Sequence, residues 1–295
     1  MEIKKLRKRL GQNFLLSKRI AQKIVEFANL SSNDSVLEVG PGKGILTEIL
    51  LKKLTNGNLI AVEKDKKLVE FLKQKFSSSK NLTLVLNDIL KLNLSRFKLF
   101  SLRYKIVANL PYYLTSRFIC SFLQSKLPPS KMVLMVQKEV AERITAKNSQ
   151  KNILSINVKA YGQPKILKIV PAKYFSPRPK VDSAILLIDN ISKSFFKDII
   201  KELEIIKKED LKISEKELIK KIEKIFFELI KQGFSNRRKL LKNNLKLEPE
   251  VFKKCNISET SRAENLSLEN WKSLLKFKLL VSGFKINSFL CRGVV

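Results

Sequence analysis

One stretch decides what this chain can fold into. Ser35–Val39, SVLEV, is an apolar run with a single carboxylate, the pattern of a parallel strand buried on both faces. It runs straight into Gly40–Pro41–Gly42–Lys43–Gly44, then an amphipathic segment from Ile45 to Leu54 and a turn at Thr55–Asn58. A second apolar run, Leu59–Val62, follows and ends on Glu63. Strand, glycine loop, helix, strand and acid make one βαβ unit, and a parallel strand pair of this kind needs a covered sheet to belong to.

The alternation continues. Lys64–Phe76 reads as a helix, and Leu82–Leu86 as a strand closed by Asn87–Asp88. Tyr104–Ala108 is a strand, Thr115–Gln124 a helix with Thr115 as its cap, Met132–Val136 a strand and Lys138–Thr145 a helix. Ile166–Val170 and Val181–Ile188 are further strands, flanking the Pro-rich FSPRPK. Ahead of all this, Ser17 is placed to cap a helix whose Ile20, Ala21, Ile24, Val25 and Phe27–Ala28 share one face. The Gly11–Leu15 loop before it has backbone and amide groups free to meet a ligand. The expected fold is α/β, a doubly wound, mostly parallel, Rossmann-like sheet. After about Asp189 strand signals stop and Lys/Glu/Ile/Leu helices take over. We therefore expect a catalytic-type α/β domain over residues 1–189, a small all-α domain over 190–278, and a tail, 279–295, with no assignable role.

Composition narrows the partners. The chain has 295 residues, 44% of them hydrophobic, enough for one large core and a smaller one. A net charge of +32 points to a polyanion, nucleic acid before an anionic membrane, although lysine abundance also reflects general compositional bias. Lys4, Lys5, Arg7, Lys8 and Arg9 form a basic arm, either a solvated tail or a phosphate contact. Histidine is absent, which removes His triads, His bases and His metal sites. Cys120, Cys255 and Cys291 are scattered without CxxC spacing, so neither zinc nor a disulfide is expected, and no metal site is assigned. No run reaches the roughly 20 apolar residues of a membrane span. MEIKKLRKRL leads into no apolar segment, so cytoplasm is the expected compartment.

The glycine loop lets backbone approach a ligand, and Glu63 at the next strand end can accept ribose hydroxyls. Nicotinamide dinucleotides and S-adenosylmethionine (SAM) both carry such a ribose. Two details favour SAM. The third glycine comes one residue early for G-x-G-x-x-G, and Glu38 just before the loop suits a cationic methionine end better than a pyrophosphate. Asp88 is then placed to accept from an adenine amino group. Each acid alone is an ordinary strand-end residue; three at successive strand ends make a site.

KIVANLPYYL, Lys105–Leu114, supplies the other half. Its strand stops at Asn109, and Pro111 forbids continuation. Asn109's side-chain oxygen and the Leu110 carbonyl can accept from an exocyclic amino group while Tyr112 stacks on the ring. A strand end with a Pro turn and two surface tyrosines would leave the same sequence. Methyl transfer suits the richer reading. Accepting the hydrogens of an adenine amino group returns electron density to its nitrogen and aims the lone pair. That nitrogen's proton becomes acidic only after transfer, so no strong base is required.

LGQNFL, VLEVGPGKGILT, AVEKD, NDIL, ANLPYYLTS, VQKEVAERI and FSPRPKVDSA, in this order, resemble the rRNA adenine N6,N6-dimethyltransferases of the small-subunit branch. FSNRRKLLKNNL and RAENLSLE extend the resemblance to about Leu275. It implies SAM contacts at Asn13, Leu15, Gly40, Glu63, Asp88 and Asn109. It also implies a target adenine held by Asn109, Leu110, Pro111 and Tyr112, with Phe175 as a second stacking ring. The implied substrate is a pair of adjacent adenosines in the 3′-terminal hairpin loop of small-subunit rRNA, each methylated twice, with a part in small-subunit biogenesis. Loop adenines cost less to extrude than paired ones. Arg7, Lys8, Arg9 and Arg237, Arg238, Lys239 would grip phosphates, helix-end packing being the plain alternative for the second group. LGQNFL starts at Leu10, which makes a bacterial cytoplasm the simpler expectation, and a monomer is expected. The rivals are a large-subunit adenosine dimethyltransferase of the macrolide-resistance type and a mainly non-catalytic assembly factor. Leu110, Pro41, the acid of KVDSA and RAENLS favour the small-subunit branch.

Overall fold

Strand order places everything else. In chain order the strands are β1 (Phe14–Leu15), β2 (Ser35–Val39), β3 (Asn58–Glu63), β4 (Leu82–Leu86), β5 (Tyr104–Asn109), β6 (Lys131–Gln137), β7 (Gln163–Val170), β8 (Phe175–Ser176) and β9 (Ser183–Asp189). The computed structural model describes residues 13–93, 97, 103–146, 151–203 and 214–281; Arg7, Lys8, Arg9 and residues 282–295 lie outside these. Seven strands form one sheet in the order β4-β3-β2-β5-β6-β9-β7. The pairs from β4 through β6 are parallel, and β9 pairs antiparallel with both β6 and β7. β7 starts three residues ahead of its apolar pattern and takes in Pro164, which an edge strand tolerates. β1 and β8 form a separate antiparallel pair, so the end of the Gly11–Leu15 segment is not a free loop.

The helices are α1 (Lys18–Ala28), α2 (Ile45–Lys53), α3 (Lys66–Lys75), α4 (Thr115–Leu123), α5 (Lys138–Thr145), α6 (Ile153–Lys159), α7 (Ser194–Glu202), α8 (Glu215–Gly233), α9 (Leu241–Leu245), α10 (Pro249–Lys254) and α11 (Leu268–Val281). Ser17 caps α1, its hydroxyl accepting from the Ile20 N–H at 3.3 Å, and Ile20, Ala21, Ile24, Val25 and Ala28 are buried as their spacing requires. They pack with Leu46 and Leu50 of α2 against Val36, Val107, Val133 and Ile185 of the sheet. Side chains alternate faces along a strand. Leu37, Ile60, Ile106 and Leu134, on the opposite face, are equally buried, so both faces are covered. Thr115 does not cap α4: no side-chain cap bond forms, and its hydroxyl is buried without a partner among the described residues.

The chain divides into two compact units, residues 1–145 with 162–191, and residues 146–161 with 192–295. A single cut near 189 therefore misplaces α6. Its Leu154, Ile156 and Val158 are buried, and it packs on α8. Tyr161, just beyond it, meets Phe196 at 5.4 Å and donates its hydroxyl to buried Glu223 at 2.9 Å, which Lys193 pairs at 2.8 Å. The second unit's core thus needs a helix from the middle of the sequence.

Candidate active site

β3 and β4 extend the sheet to one side of β2, and β5 and β6 to the other. Neighbouring connections diverge between β2 and β5, and such a switch point opens a crevice at the carboxyl ends of the strands. Val39 pairs with Ala108, so the next residues, Gly40 and Asn109, stand side by side. Gly40 has φ +67°, and a Cβ there would lie 3.8 Å from the Asn109 carbonyl oxygen and 3.9 Å from Pro111. Gly42 has φ +58°, and its Cβ would meet the Phe14 ring at 3.0 Å. Both conformations favour glycine, and both bring backbone to the crevice floor.

Three adjoining cavities share Gly40. The first, about 460 Å³, is lined by Asn13, Phe14, Gly40, Gly42, Glu63, Asn109, Leu110, Pro111 and Tyr112. A second, about 470 Å³, is lined by Val39, Gly40, Val62, Glu63, Lys64, Asn87, Asp88, Ile89, Pro111, Tyr113 and Leu114. The third, about 360 Å³, reaches Leu15, Glu38, Lys43, Ile45 and Leu46 beneath the loop. Strand ends thus gather Asn13, Leu15, Gly40, Glu63, Asp88, Asn109, Leu110, Pro111 and Tyr112 around one crevice.

Phe175 is not among them. Its ring is 3% exposed, opposite Leu15 in the β1–β8 pair and inside the core with Ile20 and Val170. A stacking ring needs a free face, so Phe175 is a core residue in this structure. Arg237, Arg238 and Lys239 are exposed on the turn after α8.

The three acids differ. Glu38 is 1% exposed; one oxygen accepts from the Thr47 hydroxyl at 2.7 Å and the other has no partner among the described residues. Burial pushes its carboxyl up to about 8, against the Thr47 bond and with a further push from Glu63. Glu63 accepts from three backbone N–H groups: Lys64 at 2.8 Å and Asp65 at 3.0 Å on one oxygen, Gly42 at 3.2 Å on the other. Burial still raises its pKa, the three donors resisting. Of the roughly four acceptor positions of a carboxylate, one is left, so a ribose diol displaces the Gly42 N–H or settles for a single bond. Asp88 accepts from the Leu90 N–H at 3.1 Å and pairs with Lys64 at 3.0 Å, and the lysine holds its carboxyl below the usual range.

At the end of β5 the amide nitrogen of Asn109 donates to the Asn13 carbonyl at 3.2 Å. That fixes the flip of the amide, leaving Oδ1 as the atom to accept. The Leu110 N–H is used by Met135 at 3.1 Å, while no described hydrogen bond takes its carbonyl. Half-buried Tyr112 shares a 2.9 Å hydrogen bond with the hydroxyl of fully buried Ser183 on β9. Sequence reasoning missed Ser183 and Lys64 as lining or positioning residues, and gave the Phe14 ring no role beyond membership of its loop. Phe14 and Ser183 lay inside LGQNFL and KVDSA, but only the fold brings them beside Gly42 and Tyr112.

The model of the family described as "Ribosomal RNA adenine dimethylase" matches residues 3–279. The chain belongs to this family. It is 41% identical over 278 residues to "Ribosomal RNA small subunit methyltransferase A" of Dehalococcoides mccartyi, covering 92% of this chain and 87% of the relative. A protein of the same description from Fusobacterium nucleatum is 39% identical over 282 residues, covering 92% and 97%. Among solved structures, a dimethyladenosine transferase from Plasmodium falciparum superposes with TM-score 0.72 at 24% identity, covering 92% and 98%. The 23S rRNA methyltransferase ErmE superposes with TM-score 0.66 at 20% identity, covering 90% and 98%; both likenesses concern the fold. As a family member the chain is an rRNA adenine methyltransferase whose methyl donor is SAM. The donor set fits that molecule. A buried carboxyl group with one oxygen unbonded among the described residues, Glu38, adjoins a crevice floored by backbone and lined by Glu63. A cationic amino-acid end satisfies the first, and an uncharged diol the second.

Proposed function

We propose that this enzyme dimethylates N6 of two adjacent adenosines in the 3′-terminal hairpin loop of small-subunit rRNA. The observation that carries the reading is the Asn109 amide, anchored through its nitrogen to the Asn13 carbonyl, with Oδ1 turned to accept beside the Leu110 carbonyl and Tyr112. When bound, SAM supplies a methyl group on a cationic sulfur. Glu38 would hold its cationic methionine end and Glu63 its ribose diol, and Asp88 with Ile89 and Val62 would border its adenine. Asn109 Oδ1 and the Leu110 carbonyl take the two amino hydrogens of the target base, which localises the nitrogen lone pair and directs it into the crevice. Tyr112 stacks on that base, its ring angle set by Ser183. After transfer the nitrogen is cationic and releases a proton to water. A chain without histidine needs no dedicated base for this.

A base must leave its stack to enter such a pocket, and an unpaired loop adenosine does so at the least cost. The same reading has the enzyme acting as a cytoplasmic monomer on immature small subunits, with a part in their biogenesis. A large-subunit substrate is the second reading, since enzymes of that kind share the fold. RAENLS and the small-subunit names of the 34–41% identical relatives favour the first.

Labelled SAM, supplied with small or large subunits lacking their dimethyladenosines and with naked rRNA of each, tests it, label being mapped by primer extension. Label on adjacent adenosines of the small-subunit 3′ hairpin is expected. Label confined to the large subunit moves the enzyme to the second reading. Tight small-subunit binding without transfer would make it an assembly factor.

A further inference from the structure

The turn between α8 and α9 in the helical unit is braced from inside. α8 ends at Gly233, where an added Cβ would strike Trp271 at 2.4 Å, so helix and indole lie in close contact. Phe234 stacks on the same indole with centroids 5.8 Å apart. Beyond it the chain must reverse, and a helix end leaves carbonyls without intrahelical partners. Asn244, on α9 and only 9% exposed, answers this with its side chain. Its Nδ2 donates to the Gly233 carbonyl at 2.7 Å and to the Asn236 carbonyl at 2.9 Å, using both amide hydrogens. Its Oδ1 accepts from the Ser235 hydroxyl at 3.5 Å.

Asn236 continues the arrangement. Its Oδ1 accepts from the Arg238 N–H at 3.1 Å, and its carbonyl accepts from the Lys239 N–H at 3.2 Å. A side chain that bonds backbone two residues on forms a local turn of its own. The backbone of Arg237, Arg238 and Lys239 is thus fixed at both ends by two asparagines, while the three side chains are exposed. No ion pair among the described residues neutralises any of the three, whereas Lys242 close by is paired with Glu259 at 3.3 Å. Three open cations on a fixed backbone suit a partner with closely spaced anionic charges.

We propose that Asn244 and Asn236 are positioning residues for RNA binding, holding the 236–239 turn in the shape that presents Arg237, Arg238 and Lys239 to successive phosphates. This rests on the RNA substrate of the proposed function. A preformed turn does not lose freedom on binding, and that loss costs about 0.5–1.5 kcal/mol per immobilised side chain, a factor of about 2 to 12 in affinity.

The test is anisotropy of a fluorescein-labelled RNA hairpin with two adjacent loop adenosines, titrated at several salt concentrations. The proteins are wild type, Asn244→Ala, Asn236→Ala, Arg237→Ala/Arg238→Ala, and the arginine pair combined with Asn236→Ala. Asn236 is the milder change, since its carbonyl stays in place for Asn244, and it keeps the test alive if Asn244→Ala folds poorly. The arginine pair should lose affinity and flatten the salt dependence by roughly 1.4 units of log–log slope, about 0.7 per lost single-strand phosphate contact. Asn236→Ala should bind about 2- to 12-fold more weakly with every charge retained, and should cost less in the arginine-pair background, where only Lys239 is left to position. Equal binding by wild type and Asn236→Ala overturns the proposal, as does a loss that adds in full to that of the arginine pair. Wild-type binding by the arginine pair also overturns it. S-adenosylhomocysteine binding and methyl transfer, read on the same proteins, report separately on the proposed function.

Discussion

The carboxyl end of β5 and those of β3 and β4 border the same crevice in opposite states. At β5, Asn109 Oδ1 and the Leu110 carbonyl accept no hydrogen bond among the described residues, the Asn109 amide being anchored by the Asn13 carbonyl and the Leu110 N–H by Met135. At β3 and β4, Glu63 already holds three N–H groups and Asp88 already holds Lys64. One side is set out in advance for its ligand; the other exchanges existing partners for new ones. A contact that strengthens at the reacting nitrogen in the transition state acts on rate, whereas one made equally to the bound cofactor acts on affinity.

The sharpest way to break this contrast is Asn109→Ala. Methyl transfer should fall by two or more orders of magnitude with S-adenosylhomocysteine affinity changed far less. A calorimetric titration beside single-turnover transfer decides it, and equal losses in both would erase the distinction. Glu63→Ala should do the reverse, weakening cofactor binding about 10- to 100-fold, the worth of hydrogen bonds to a charged group. Freed from Glu63, the Gly42 loop should also exchange its amide hydrogens faster.

Glu38 sharpens the comparison through pH. Its carboxyl, raised to about 8, keeps a proton in the free protein that the unfolded chain gives up near 4.5. Its contribution to stability is therefore full below 4.5 and is lost as pH rises through 8. If a cationic ligand draws out the charged form, binding releases a proton, and affinity for SAM should climb up to tenfold per pH unit toward 8. Titrations in buffers of different ionisation enthalpy would count that proton, and Glu38→Gln should flatten the profile. Smallest is Ser183→Ala, which should slow transfer about 2- to 12-fold with cofactor affinity unchanged. Tyr112→Phe should match it, and the double variant should be no slower, because both remove one hydrogen bond.

The parts that sequence made legible share a physical cause. Strands buried on both faces must be continuous apolar runs, so β2, β3, β5 and β6 were readable, and with them the strand ends that carry Gly40, Glu63 and Asn109. Ser17 was readable because a cap acts within one turn. What escaped depends on distant partners. The Phe175 ring is sealed by Leu15 and Ile20, far off in sequence, and Ser183 matters only because β9 returns beside β6. Glu63 and Asp88 were readable as acids at strand ends, but not as acids already engaged. Thr115 has a cap's chemistry, yet the preceding 3₁₀ turn at Tyr112–Leu114 leaves no free helix start for it to serve.

The excursion through α6 has a consequence for how the protein comes off the ribosome. Synthesis runs at about 5–20 residues per second. Leu154, Ile156 and Val158 therefore emerge seconds ahead of α8, on which their helix packs, and β7 and β9 are made in between. The sheet can close while α6 still waits without the helix that covers it. During that interval the growing chain is most open to chaperones and proteases at a place that the finished protein keeps buried.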